Sequence, residues 1–360
     1  MMTTPIFFNA VLQEKIWGGT KLHSLFNFTL PSDKTGEAWI ISAHPNGIST
    51  IKSPAEYAGL GLDELYKTHP ELFNGQQLAS FPVLIKLLDA SDDLSIQVHP
   101  DDEYALEHEG EYGKNECWYV VQAEPGAKIV YGHTAMTPEE FSEQIDNEAW
   151  SELFTEVTVK AGDFFDVPSG TIHAIGGGIV ILETQQNSDT TYRVYDYNRT
   201  DDAGNPRPLH IQQTKDVTTI PHQMGAIIRT AECVGATAVL IPKRHNAPIN
   251  ATVAKTSAGA IEQIPLVQVG NVAQTIKQLQ KQGFWVMGAH MEGDRTLYEA
   301  DMTIPTVIVI GNEGKGISRV VKEACDFLVT IPMYGNLNSL NASVAAAVLM
   351  YEAVRQRQAK

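Results

Sequence analysis

The chain has 360 residues, 43% of them hydrophobic and 19% charged, which is more than one ordinary domain needs and enough for two cores. Its apolar runs stay well short of the roughly 20 residues that cross a bilayer, which excludes a membrane-spanning protein, and the opening MMTTPIFFNAVLQEK does not read as a secretory signal. Net charge is −17 and uneven: 13 Lys and Arg stand against 33 Asp and Glu over residues 1–222, and 13 against 10 over 223–360, so an acidic part that repels polyanions is joined to one that does not.

In chain order, the first part holds short alternating or apolar runs separated by turn residues: GEAWIIS (36–42), LSIQVH (94–99), ECWYVVQ (116–122), AKIVYG (127–132), DFFDVP (163–168) and GGIVILETQ (177–185). Strands at this spacing predict an all-β sandwich or barrel. Helical patterns interrupt at 62–73 and 137–150, the second opening with Thr137 as N-cap, Pro138 at the first helical position and Glu139 and Glu140 in the first turn. NRTDDAGNPRP (198–208) is a turn-rich loop. The rhythm changes at a seam between about 211 and 224, with domains expected at 1–222 and 223–360.

Beyond the seam, helices and strands alternate. Helices are predicted over 225–236, 271–283, 316–327 and 341–358, and strands at TAVLIP (237–242), FWVMGA (284–289), PTVIVIG (305–311) and LVTIPM (328–333). Apolar strands alternating with helices predict a parallel sheet covered on both faces. Cys117, Cys233 and Cys325 are scattered and form no CxxC. They exclude a disulfide scaffold and a thiolate zinc finger, and they fit a reducing cytoplasm.

Two groups of residues carry chemistry. Gln97 and His99 lie two apart in a strand and share a face, Glu116 begins another strand, and His173 follows a strand and a turn. Two imidazoles, a carboxylate and an amide oxygen suit Zn²⁺ with a position left open; the spacing is equally that of structural histidines. The segments EKIWGGTKL (14–22), GEAWIISAHPNG (36–47), IQVHPDDEYA (96–105), GKNECWYVV (113–121), GDFFDVPSGTIHAI (162–175), TYRVYDYNR (191–199) and RPLHI (207–211) resemble type I mannose-6-phosphate isomerases of the short bacterial form. The resemblance covers roughly 5–220. It implies a cupin-type β-barrel with zinc held by His99, Glu116 and His173 and with Gln97 as fourth ligand, a sugar phosphate as substrate, and Arg193 as the active-site arginine. Lys114 is either a phosphate or sugar contact or a solvated turn lysine. The family carries a further β-rich segment that nothing after about 222 resembles.

The second group lies in GAIIRTAE (225–232), VIVIGNEGKGIS (307–318) and IPMYGNLNSLNASVAAA (331–347). A Gly-rich strand-to-helix turn lets backbone N–H groups approach a nucleotide-like ligand, or is a plain αβ turn. Together with ATVAKTSAGAIEQIPLVQV (251–269) and RQR (355–357), the three segments resemble the motifs of SpoU-type RNA 2′-O-ribose methyltransferases of the SPOUT superfamily. That resemblance implies a doubly wound α/β fold with a C-terminal trefoil knot holding S-adenosylmethionine. Gly311, Ile331 and Leu340 match its cofactor contacts and Glu313, Ser339 and Asn341 its polar positions, with turn formation and helix capping as the other reading of these three. Arg229 matches the motif arginine placed at the attacking ribose hydroxyl, and Lys243, Arg244 and Lys255 could meet RNA phosphates. The family's Asp-Pro-x-Asn-x-Gly is replaced by Ile220–Gly225, with Gln223 for Asn and the half-apolar KDVTTI (215–220) for a strand. An RNA-binding module common in relatives is absent. A homodimer through the helix at 341–358 is implied.

The expectation is therefore a chimera: a zinc isomerase barrel fused to an S-adenosylmethionine-binding domain that retains its cofactor motifs. The alternatives are an RNA methyltransferase with a vestigial barrel and a non-catalytic binding protein.

Overall fold

The structure is a computed structural model that describes residues 5–75, 78–200, 204–243, 249, 251–311, 316–335 and 339–358. Its contacts divide the chain into two units: Met1–Thr134 with Phe141–Thr219, and Ala135–Glu140 with Ile220–Lys360.

Two antiparallel sheets build the first unit. The six-stranded sheet runs in the order Phe164–Val167, Glu116–Ala123, Ile179–Gln186, Val83–Ala90, Thr35–Ile41, Val11–Gly19. The five-stranded sheet runs Tyr192–Tyr195, Ile96–Val98, His173–Ile175, Lys128–His133, Phe154–Thr158. Alternate residues of both sheets point inward. Leu88, Trp118, Val120, Ile179 and Ile181 from one meet Ile129 and Ile175 from the other in a shared core, the layering of a barrel or sandwich. A second small sheet pairs Phe7–Asn9 with Thr50–Ser53.

The helical pattern at 62–73 divides: Leu62–Thr68 is α-helix and Pro70–Phe73 a 3₁₀ turn, because Pro70 disfavours a helical residue before it. The helix Pro138–Asp146 begins as expected. Thr137 Oγ1 accepts from Glu140 N at 3.2 Å, while Glu140 Oε2 accepts from Met136 N at 2.8 Å. Each side chain thus satisfies a donor that the helix leaves orphaned.

The second unit departs further from the pattern. Its parallel strands form two separate sheets: Val239–Pro242 with Leu266–Val269, and Arg295–Thr296, Phe327–Thr330, Trp285–Ala289, Thr306–Val309 in that order. KDVTTI is no strand; its first three residues end the helix Ile211–Val217. The following helix spans Pro221–Cys233, four residues ahead of the expected start, with Pro221 in its first turn. The expected helix 316–327 shrinks to Arg319–Ala324. Gly225 lies where the helix Pro221–Cys233 meets Ala251–Thr256: a Cβ there would run into Thr256 Oγ1 and come within 2.9 Å of Val253 O. Among the described residues no helix is long and apolar enough to cross a membrane.

Candidate functional site

The pairing of the first unit brings the expected ligands together. Ile96–Val98 pairs with His173–Ile175 so that Gln97 lies opposite His173. His99 follows at the strand end, its carbonyl held by Gly170 N at 2.8 Å. Glu116 opens its strand in the other sheet, paired with Gln185 and Val167. The ligand atoms of His99, Glu116 and His173 all lie within 4.8 Å of one another, and all three residues are buried.

Local hydrogen bonds set which imidazole nitrogen is free. His99 Nδ1 donates to Thr190 O at 2.9 Å and His173 Nδ1 to Thr171 O at 2.8 Å. Both Nε2 atoms then carry lone pairs turned toward the Glu116 carboxylate, at 3.4 and 3.3 Å. Neither Glu116 oxygen nor His99 Nε2 is in hydrogen-bond geometry with any partner. Three buried orphaned acceptors converging on one point form a donor set that fits a divalent ion with N and O ligands. The Gln97 amide is 3.4 Å from His173 Nε2, and a half-turn presents its oxygen at the same place.

The electrostatics agree. Burial, with Lys114 adding to it, pushes His99 down to about 3, and burial lowers His173, so both rings are neutral, as ligands must be. Burial would raise Glu116, but Lys114 and the two histidines outweigh it and hold the carboxyl well below its ordinary value. Lys114 is buried, with Nζ 3.4 Å from Glu116 Oε2, so it is no solvated turn lysine. Burial alone would lower its ammonium; Glu116, with Glu183 behind it, holds it above its ordinary value.

Beside this cluster opens a cavity of about 310 Å³, lined in part by Lys86, Gln97, Lys114, His173, Glu183 and Arg193. Arg193 lies opposite Gln97 in the neighbouring strand, and its Nε is buried without a partner. Arg207, also in the lining, is held by Asp196 with Nε 2.7 Å from Oδ2.

Sequence reasoning missed Glu183 and Lys86. A row across four strands explains them: Trp39, Lys86, Glu183 and Trp118 are successive pairing partners. Lys86 Nζ sits 4.9 Å from the Trp39 ring centroid, and Trp118 Nε1 donates to Glu183 Oε2 at 3.0 Å. A lone Lys and a lone Glu inside the apolar runs VLIKLLDA and GGIVILETQ were the available signal, since charge inside a buried strand is rare unless paired.

In the second unit, Gly311 and Ile331 follow the carboxyl ends of Thr306–Val309 and Phe327–Thr330, which flank Trp285–Ala289 in one parallel sheet. Ligands of open parallel sheets bind at such strand ends. A Cβ at Gly311 would strike the backbone of Gly316 and Ile317. Ile331 packs on the core, and Ser339 and Leu340 are exposed. Asn341 Oδ1 caps the helix Ala342–Gln358, accepting from Ser343 N at 2.9 Å. Glu313 and Arg244 lie outside the described residues. Arg229 is exposed and lines an open groove with Glu232, Cys233 and Ser257–Gln263; none of the cofactor candidates shares that lining.

The chain is similar to known proteins in two blocks. Residues 6–122 match the family described as phosphomannose isomerase type I, catalytic domain, and residues 215–351 match the SpoU rRNA Methylase family. A mannose-6-phosphate isomerase of Streptococcus mutans is 58% identical over 219 residues, which is 61% of this chain and 69% of that protein. The crystal structure of the mannose 6-phosphate isomerase from Bacillus subtilis superposes with TM-score 0.60 at 50% identity, covering 61% of this chain and 70% of that one. A 23S rRNA (guanosine-2'-O-)-methyltransferase RlmB of Pseudomonas putida is 50% identical over 145 residues, 40% of this chain. The chain spans 58% of that relative's length. The first unit has the cupin-like fold of the isomerases, and the chain belongs to the type I mannose-6-phosphate isomerase family, fused to a C-terminal SpoU methylase part.

Proposed function

We propose that the first unit is a zinc-dependent isomerase that interconverts mannose 6-phosphate and fructose 6-phosphate. The observation that carries the reading is the convergence of His99, Glu116 and His173 beside a cavity lined by cations. Gln97 completes the donor set. Aldose–ketose interconversion moves a proton between C1 and C2 of the open-chain sugar through an enediol. A zinc ion held by these four residues would supply Lewis acidity to the sugar oxygens.

The remaining work falls to the chain. Glu183 faces the cavity, and burial, with Glu116 adding to it, pushes its carboxyl up to about 7 against the pull of Lys114 and Lys86. That value is suited to taking and returning a proton at neutral pH. Lys114 offers an ammonium next to the ligand Glu116, where charge develops on the sugar oxygens. Arg193 and Arg207 receive the phosphate dianion, whose approach to an acidic unit requires local cations.

The second unit is read as an S-adenosylmethionine-binding domain whose ligand sits at Gly311, Ile331 and Leu340, on a C-terminal trefoil knot and in a homodimer. The position of Gly311 and Ile331 at parallel strand ends favours cofactor binding. Methyl transfer to RNA is not part of the reading: Arg229 lines a different groove, and Gln223 leaves its Nε2 buried without a partner.

One preparation tests both readings. Zinc content near one per chain, a coupled isomerase assay and a calorimetric S-adenosylmethionine titration are measured together on wild type and His99→Ala. Loss of zinc and turnover in the variant, with cofactor binding retained, is the expected pattern. A zinc-free wild type, or full metal retention in the variant, overturns the isomerase reading.

A further inference from the structure

The parallel strands of the second unit lie in two sheets, of two and four strands. No backbone hydrogen bond joins Val239–Pro242 to Thr306–Val309 among the described residues. Thr306–Val309 ends its sheet, and all four of its residues are only half-buried. In the other sheet, Val239–Pro242 is the better covered strand and Leu266–Val269 the more exposed, which makes Val239–Pro242 the inner edge.

One helix rests on both edges. Met350 of Ala342–Gln358 packs into the cluster containing Ile241, while Val348 and Leu349, immediately before it, pack into the cluster containing Ile308 and Ile310. A helix with its side chains is about 10–12 Å across. Two strands with one missing between them stand about 9.5 Å apart, twice the usual spacing. The seam beneath the helix therefore has the width of one strand.

Both edges are apolar, VLIP and TVIV, as in strands covered on both faces. An unpaired edge of this kind accepts another strand. The chain segment that precedes the unit cannot fill it. Thr219 donates its N–H to Gly170 O at 2.9 Å, and its carbonyl accepts from His133 Nε2 at 2.8 Å, which ties it to the first unit. The methyltransferase relatives extend well beyond the matched part, since the chain spans 58% of one of them.

We propose that the seam between Val239–Pro242 and Thr306–Val309 is a strand-acceptor site that takes one extended, continuously apolar segment of about five residues from a separate polypeptide. Main-chain pairing on both sides gives the affinity, and the apolar side chains fill the space between Ile241 and Ile308. The site is independent of the isomerase chemistry.

The test uses the full chain and amide hydrogen exchange read by mass spectrometry over 237–243 and 305–311. The probe is a synthetic peptide of Val-Ile-Val-Ile-Val flanked by lysines. The control is the same peptide with its second and fourth apolar residues replaced by proline, which cannot donate to a ladder. At saturating probe, exchange in both strands slows together by at least tenfold, and the control leaves it unchanged. Slow exchange at both strands in the free monomer would overturn the proposal, as would protection of one strand alone or no protection by the probe. Protection that instead rises with protein concentration and a doubled mass assigns the seam to a second copy of the chain and also overturns it.

Discussion

Glu183 and Lys86 face each other across neighbouring strands with Oε1 and Nζ 3.7 Å apart, both buried in the wall of the cavity. The gap is too long for a hydrogen bond, and Oε1 has no other partner. A carboxylate held this way is oriented by Trp118 on one oxygen and left open on the other, as a group that exchanges a proton must be.

Glu183→Gln is expected to lower kcat by about 10²–10⁴-fold while zinc content stays unchanged. The base works ionised, and burial places its carboxyl at about 7, so wild-type kcat should fall as pH drops below about 7. The variant should lose that acid limb along with its rate. A pH profile of kcat from 5.5 to 8.5 decides; a variant that keeps the limb assigns the base elsewhere.

Lys114→Met addresses the ammonium beside the metal ligand. Removing one partner of a buried ion pair leaves the other uncompensated, at a cost of about 3–5 kcal/mol. The metal-free variant should therefore unfold at lower temperature than metal-free wild type. Zinc should restore much of the difference, because the ion replaces the missing positive charge. Activity should stay at least tenfold below wild type even when loaded, because the charge that meets the sugar oxygens is gone. Thermal unfolding with and without zinc, plus kcat on the loaded variant, checks both halves.

How much of this was readable in advance depends on the kind of constraint. Gln97 and His99 lie two apart in a strand, so a shared face follows from the pleat alone. The start of the helix at 138 follows from Thr137 and Glu140, whose reciprocal bonds are local. The row Trp39–Lys86–Glu183–Trp118 was not readable, because it exists only after four strands separated in sequence come into register. The division of the second sheet was hidden for a related reason. The apolar strands announce a parallel sheet, but the segment at 215–220 ends a helix and is tied to Gly170 and His133. Tertiary pairing decides that, not propensity.

Acid sensitivity of the metal-free chain follows from the two ligand histidines. Burial holds His99 at about 3 against an ordinary 6.5, and lowers His173 too. Between those values the unfolded chain binds a proton that the folded ring refuses. Stability therefore falls as pH drops from about 6.5, by up to about 1.4 kcal/mol per pH unit for each such group. His99→Gln should flatten that slope in metal-free protein. Denaturant midpoints at pH 7, 6 and 5 would show it, and parallel slopes in variant and wild type would contradict it.

Asn341 separates capping from cofactor contact. Asn341→Ala removes the bonds to Ser343 N and Val344 N and should cost about 1 kcal/mol of stability in the second unit. Asn341→Asp keeps the cap and should restore that stability. If the side chain serves only the helix, both variants bind S-adenosylmethionine alike once folded. If it also meets the cofactor, Asn341→Asp stays weakened in the titration although its stability is normal, and that is the outcome expected here.

Gly225 is the last test, and it isolates the second unit. The helix Pro221–Cys233 crosses Ala251–Thr256 so closely that a methyl group at Gly225 would collide with Thr256 Oγ1 and crowd Val253 O. Thr256 can turn its hydroxyl away, but the Val253 carbonyl belongs to the helix itself and cannot. Opposing this, alanine favours the helical state over glycine by about 1 kcal/mol. Overpacking in a close contact costs about 1–3 kcal/mol, so Gly225→Ala should be destabilising on balance. Gly225→Ala combined with Thr256→Ala, which removes the colliding oxygen, should recover part of the loss. Isomerase turnover belongs to the other unit and should be unaffected in both. Calorimetric unfolding read alongside the coupled assay would show the second unit melting earlier while turnover at 25 °C is kept; equal melting of wild type and Gly225→Ala would mean that the two helices can separate at no cost.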